Sequence, residues 1–229
     1  MPASLLQVST YVGGIVIGAF TDAGELAGFV FGLTGVEDGH TIHWSHLLGV
    51  RASTRNSGIG RMLKDAQRAE LARRNVGTMS WTFDPLVAKN AHFNLNRLGA
   101  RVVEYVPDMY GTTTSPLHYG LATDRLIVTC DTNGELANAR DVDVDGPILG
   151  LDLSERDALS HGSLPATLRI EIPADIKEVI DQSPEAAAAW REAVRSHFQW
   201  ALAHGYEVIG ATRDPLTARC TYSLSLRAA

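Results

Sequence analysis

His46-Leu47-Leu48-Gly49-Val50-Arg51-Ala52-Ser53-Thr54-Arg55-Asn56-Ser57-Gly58-Ile59-Gly60-Arg61 is a strand running into a glycine-bearing turn that opens a long helix. The glycines at 58 and 60 sit where the first helical amides must turn outward. Those N–H groups have no partner inside the helix, and the helix dipole favours negative charge beside them. Arg55 and Arg61 flank the turn with charge-assisted donors. The stretch therefore reads as a pyrophosphate-binding loop.

The helix is expected over residues 57–75. Ile59, Met62, Leu63, Ala66 and Ala69 share one face, while Lys64, Asp65, Arg68, Arg73 and Arg74 fall mostly away from it. Ahead of the loop, apolar runs at 14–20, 26–33 and 40–50 are separated by turn signals at Asp22-Ala23-Gly24 and Asp38-Gly39, which predicts an antiparallel meander. Residues 2–11 carry at most a helix fragment. Behind the helix come a strand at 76–83 ended by Asp84-Pro85, a helix at 86–98 with Gly99 as its C′ residue, and strands at 100–106 and 124–130. A Thr/Ser/Pro/Gly-rich loop at 107–122 joins the last two. The acidic segment 131–145 reads as a seam, with Asp141 to Asp145 most simply a solvated linker. Beyond it lie a strand at 166–172, a helix at 184–204 closed by Gly205, and strands at 207–211 and 219–226.

The chain has 229 residues, 45% of them hydrophobic and 20% charged, which suits one large globular domain or a medium one with an appendage. A net charge of −6 argues against a nucleic-acid surface. Cys130 and Cys220 are the two cysteines and have no metal-ligand spacing, so neither a metal site nor a disulfide framework is expected. With no signal-peptide pattern and no apolar run near bilayer length, the expectation is a soluble, cytoplasmic protein without a membrane partner.

Two familiar phosphate loops fail on residues 50–61. The dinucleotide fingerprint needs a third glycine where Leu63 stands, and a P-loop needs Gly-Lys-Ser/Thr where the chain has Gly60-Arg61-Met62. Arg55-Asn56-Ser57-Gly58-Ile59-Gly60 instead resembles the Arg-x-x-Gly-x-Gly loop of the GNAT superfamily of acyl-CoA N-acyltransferases. Asn90 followed by Leu98-Gly99-Ala100 resembles that superfamily's later motif. Ser45 to Val50, Leu63 to Arg68, Trp81 to Leu86, Asn90 to Ala100 and Thr123 to Leu126 are similar to a bacterial subgroup associated with N-acylamino-acid racemases. Some of its members are thought to N-succinylate amino acids.

The resemblance implies an α+β fold: a GNAT-like mixed, largely antiparallel twisted sheet flanked by helices, with a C-terminal β-α-β-β extension. It implies an acyl-CoA-binding domain at 1–132 and an extension at 133–229. It further implies an acyl-CoA-dependent N-acyltransferase that uses acetyl-CoA or succinyl-CoA and a small amine, plausibly an amino acid. The alternatives are a non-catalytic CoA-binding protein of the same fold and, more weakly, a protein-lysine acetyltransferase. A homodimer is compatible with it. Leu48, Gly49 and Val50 would pair with pantetheine; Arg55, Asn56, Ser57, Gly58, Ile59, Gly60 and Arg61 would hold the pyrophosphate, with Asn90 as a further cofactor ligand.

Two departures stand against that pattern. Leu95 occupies the position where the family's helix carries a proton-donating Tyr. The segment ahead of the meander is also too short for the family's first strand and helix. Either the extension or a second subunit is expected in their place, or the acceptor pocket is open there. Thioester aminolysis needs a base for the ammonium and an acid for the thiolate. His46 and Asp84 are the candidate bases and Tyr110 the substitute acid; Arg125 is a candidate for binding a substrate carboxylate. Each has a plainer alternative: a hydrogen-bonded histidine for His46, a turn-starting Asp-Pro for Asp84, a structural tyrosine for Tyr110, an ion pair for Arg125 and a helix N-cap for Asn90. His43, on the opposite face from His46 by alternation, ranks below it, and His197 reads as a core histidine.

Overall fold

The computed structural model describes residues 3–111, 120–133, 144–160, 162–214 and 219–227. They form two compact units, Met1–Trp81 with Thr129–Leu136 and Thr82–Val128 with Ala137–Ala229. β4 (Thr78–Phe83) and β6 (Arg125–Asp131) each contribute residues to both units. Residues 112–119 of the expected loop and 141–143 of the acidic run lie outside the described residues.

Unit 1 begins with α1 (Ala3–Tyr11) and continues into the expected meander of β1 (Ile15–Phe20), β2 (Leu26–Glu37) and β3 (His40–Val50). Asp38 and Gly39 both have positive φ, 48° and 79°. That is the geometry of a two-residue hairpin turn whose twist matches the flanking strands. The strand order in this unit is β1-β2-β3-β4-β6. β3 and β4 are parallel, a connection that needs a crossover element; α2 (Ile59–Arg73) supplies it. Its stripe packs on the meander, where Leu63 joins Ala19 and Val30 in a core flanked by Ile17 and Ile59. Close approach of the layers depends on Gly28, where a Cβ would lie 3.2 Å from side-chain atoms of both Ile59 and Leu63.

Unit 2 holds α3 (Ala88–Ala91), a π-helical turn at His92–Arg97, and β5 (Arg101–Val106) beside β6. The expected helix at 86–98 is thus a short α-turn running into a π-turn, with Gly99 closing it at φ 62°. A four-stranded sheet follows in the order β7-β8-β10-β9, from β7 (Ile148–Leu149), β8 (Thr167–Ile172), β9 (Tyr206–Arg213) and β10 (Cys220–Leu226). α4 (Ser154–Ser160), α5 (Ile176–Gln182) and α6 (Pro184–Ala203) complete it. The expected β-α-β-β extension is present and gains β7, α4 and α5. Ser183 caps α6 by accepting from the Ala186 amide, with Pro184 in the first turn. Phe198 of α6 stacks on Tyr105 at 5.4 Å and meets Tyr222 edge-on at 4.9 Å, which centres the core of this unit. The fold class is α+β with a largely antiparallel sheet and packed helices, as expected. Among the described residues no helix is long and apolar enough to cross a membrane.

Candidate functional site

The loop is built from the end of β3 outward. Arg51 N–H and Thr54 Oγ1 both donate to the Ala27 carbonyl, at 2.8 and 3.2 Å, tying the turn to β2. Residues Ala52–Thr54 make a single 3₁₀ turn. Asn56 and Gly58 then take positive φ, 63° and 86°, and Gly58 is the N-cap of α2. No side chain caps that end, and its first turn carries no acid. The first backbone bond into Gly58 comes from Met62 N–H at 3.0 Å, so the amides of Ile59, Gly60 and Arg61 face outward without a helical partner. Arg55 and Arg61 are both accessible; Arg55 Nε reaches the Val50 carbonyl at 3.4 Å and Arg61 pairs with Asp65 at 3.5 Å. The helix starts two residues later than expected, because Ser57 donates back to the Thr54 carbonyl and Gly58 adopts a left-handed turn.

β3 carries the remaining unit 1 candidates. Its ladder with β4 covers Ile42↔Thr78, His43↔Met79 and Trp44↔Ser80. Past Trp44 it continues against β2, and a bulge interrupts that register: Phe31 faces Leu47 and Gly32 faces Ser45, so His46 is the extra residue. His46 is exposed and meets the Phe31 ring edge-on at 6.1 Å. Leu48, Gly49 and Val50 pair with Val30, Phe29 and Gly28 on β2.

The other candidates lie in unit 2. Asp84 accepts from both Arg191 Nη atoms, at 2.9 and 2.7 Å, and from Leu86 N–H at 2.9 Å, with Arg125 Nη1 at 3.6 Å. Both oxygens are engaged, which makes this carboxylate an anchor for two guanidiniums. Arg125 is buried, forms its ion pair with Asp84, and donates to the Asp124 carbonyl at 2.8 Å. Tyr110 is 45% exposed, so it is not a core tyrosine. Its hydroxyl meets Thr82 Oγ1 at 3.2 Å, and its ring lies 5.2 Å from the Arg125 guanidinium carbon. Unit 2 thus brings Asp84, Tyr110 and Arg125 together. Asn90 is exposed in the third position of α3, whose N-cap is Val87, so it caps nothing. Leu95, in the family's tyrosine position, is buried. His197 is buried with Nε2 on the Gly150 carbonyl at 2.8 Å, a core histidine as expected.

A polar chain that the helical pattern did not disclose is buried under α2. Thr34 Oγ1 donates to the Gly13 carbonyl at 2.9 Å, so it accepts from His43 Nδ1–H at 3.0 Å. His43 Nε2 is then the acceptor for Gln67 Nε2 at 3.0 Å. Gln67 Oε1 accepts from Ser45 Oγ and Ser45 Oγ accepts from Lys64 Nζ, both at 2.7 Å. Lys64 is 4% exposed, not on the solvated face where its charge had placed it. Burial lowers its pKa to about 7, partly opposed by Cys130; burial, with Lys64 and Arg74 nearby, lowers His43 to about 4. Gln67 lies four residues from both Leu63 and Leu71, a spacing that signals a buried polar position.

No protein-family model matches the chain, and no curated protein matches it. Solved structures do. Nourseothricin acetyltransferase aligns at a TM-score of 0.44 and 20% identity, over 52% of this chain and 65% of its own length. The ribosomal-protein-S18-alanine N-acetyltransferase from Escherichia coli aligns at 0.46 and 18%, over 59% and 81%. An aminoglycoside 6′-N-acetyltransferase complexed with coenzyme A aligns at 0.42 and 18%, over 56% and 78%. At that level of similarity, the functional reading rests on the chain's own residues.

Proposed function

We propose that the protein is an acyl-CoA-dependent N-acyltransferase of GNAT type that acylates the amine of a small molecule. The observation that carries this reading is the turn from Arg55 to Arg61. Two left-handed residues, Asn56 and Gly58, lead into an uncapped helix end with no acid in its first turn. Consecutive outward amides at a helix start suit a pyrophosphate. The β3 segment beyond its three-residue ladder with β4 offers backbone groups to an extended pantetheine arm, in the manner of strand addition.

The roles follow residue by residue. Leu48, Gly49 and Val50 take the arm, Arg55 to Arg61 the pyrophosphate, and Asn90, with its exposed amide, a further cofactor contact. His46, exposed at the bulge, serves as base, directly or through water. Tyr110 protonates the leaving thiolate. Arg125 and Arg191, oriented by Asp84, favour an acceptor or acyl group that bears a carboxylate, which keeps succinyl-CoA and amino acids in view beside acetyl-CoA.

Thiol release from acetyl-CoA and from succinyl-CoA, measured against a panel of amines, tests this. The expected result is release that one acceptor class accelerates. Tight CoA binding with no acceleration by any acceptor identifies the protein as a CoA-binding protein without transfer activity.

A further inference from the structure

Lys64 is a buried titratable group that the mechanism above leaves unused. Trp44 and Ser80 are the last paired residues of β3 and β4. Ser45 and Trp81 are therefore the first positions past the ladder, one on each strand. Lys64 of α2 reaches both: its Nζ donates to Ser45 Oγ at 2.7 Å and lies 4.0 Å from the centre of the Trp81 ring. Among the described residues no carboxylate is paired with it. We infer that Lys64 is a positioning residue, an amine that ties the two strands together where they part and whose protonation sets the course of the β3 edge beyond.

The surroundings support a real change of state. A charged amine is held over the indole by the ring quadrupole; a neutral one loses that attraction. The hydrogen-bond chain behind Ser45 is directional, since Thr34 donates to Gly13, and every later group has one role left. It therefore offers Lys64 an acceptor, and no proton, while Gln67 keeps its orientation. That orientation is locked from below, because the His43 ring lies against Gly32, where any Cβ would collide with Nε2. The charged and titratable groups bearing on the amine are few. Cys130 on β6 influences Lys64 electrostatically, its thiol pushed up by burial and itself influenced by Arg68, Lys64, Asp131 and Asp65. His43 on β3 feels Lys64 and Arg74. Burial is the leading cause of the lysine's shift, and it brings the change of charge close to neutral pH.

The consequence for cofactor affinity rests on the proposed function; the titration itself does not. Tryptophan emission from pH 5.5 to 9 reads the titration directly. The measurement belongs in a Trp200→Phe background, because Trp200, whose ring centre lies 4.6 Å from that of His204, adds emission of its own. A step centred near pH 7 is expected, and it should vanish in Lys64→Met and in Trp81→Phe. Lys64→Met leaves Ser45 its bond to Gln67, so the variant should fold. If it does not, Lys64→Gln keeps a donor but cannot titrate, and gives the same readout. In parallel, CoA affinity by calorimetry should fall about fivefold in the wild type as pH rises through the step, the size of effect one cation–π contact supports. The two non-titrating Lys64 variants should lack that component. A step that survives in Lys64→Met, or no step at all in a folded protein that binds CoA, overturns the inference. A step without CoA binding at any pH leaves the titrating amine standing and overturns both the functional reading and its coupling to Lys64.

Discussion

The two units bury charge in opposite ways. In unit 2, Asp84 is clasped by Arg191 and Arg125, and Asp124 by Arg195 at 2.9 and 2.7 Å and by the Tyr105 hydroxyl at 2.6 Å. Burial pushes the Asp124 carboxyl upward, but Arg195, Tyr105 and the Asp108 amide outweigh it, so its pKa is lowered. For Arg191, burial acts against the raised pKa and Asp84 outweighs it; for Arg195, the bond to Asp124 is the largest cause of the rise. Asp124, Arg191 and Arg195 are thereby held in their charged forms. In unit 1, Lys64 and His43 are buried among neutral partners, and desolvation drives both toward neutrality. Paired ions give a framework indifferent to pH. A buried base without a counter-ion gives one that responds to it.

The largest test of that contrast is to break an ion pair. Asp84→Ala strands Arg191, a residue 4% exposed, and should cost about 3–5 kcal/mol of unfolding free energy, measured by urea titration. Lys64→Met acts in the other direction. It removes a buried amine that must be neutral or unpaired, and should stabilise the protein by about 1–4 kcal/mol at pH 6. That gain should shrink as pH rises, because the wild type improves. In the unfolded chain Lys64 keeps its proton to about 10.5 and in the folded protein only to about 7. Between those values the unfolded state binds more protons, so stability rises with pH, by at most about 1.4 kcal/mol per unit. His43 adds the same sign between about 4 and 6.5. A urea midpoint that stays flat from pH 6 to 10 would place the lysine outside the core. Gly32→Ala is the smallest of the set: displacing the His43 ring should cost about 1–3 kcal/mol and weaken the pH dependence.

How far these features could be read from the sequence differs between the units for a physical reason. The meander, the loop and α2 were legible because period-2 strands, an Asp-Gly turn and the Gly58 helix start are local signals. α5 and the two-residue β7 depend on tertiary packing and give no such period. The π-turn at His92–Arg97 was read as plain helix because its one-residue insertion leaves the apolar spacing almost unchanged. A helical wheel assigns charge to solvent, and Lys64 departs from it. Its burial depends on Ser45 and Trp81, which only the assembled strands bring beneath it. The ion pairs of Asp84 with Arg191 and of Asp124 with Arg195 join residues 107 and 71 positions apart, and nothing in either local sequence announces them. Glycine placement in the Arg55–Arg61 turn, by contrast, carries the expectation of an anion site directly.

The cofactor assignment rests on that turn. Gly58 sits at φ 86° with open space around its missing Cβ, so the obstacle to a β-branched residue there is an unfavourable backbone conformation. The most direct measurement is CoA binding by calorimetry to the wild-type protein and to Gly58→Val, with thermal unfolding of both as the control. Binding by the wild type, weakened at least about tenfold in a variant that still unfolds cooperatively, is the predicted result; that ratio is about 1.4 kcal/mol of lost anion contact. CoA binding of equal strength in both proteins, or none in the wild type, would contradict the assignment of this loop to a pyrophosphate.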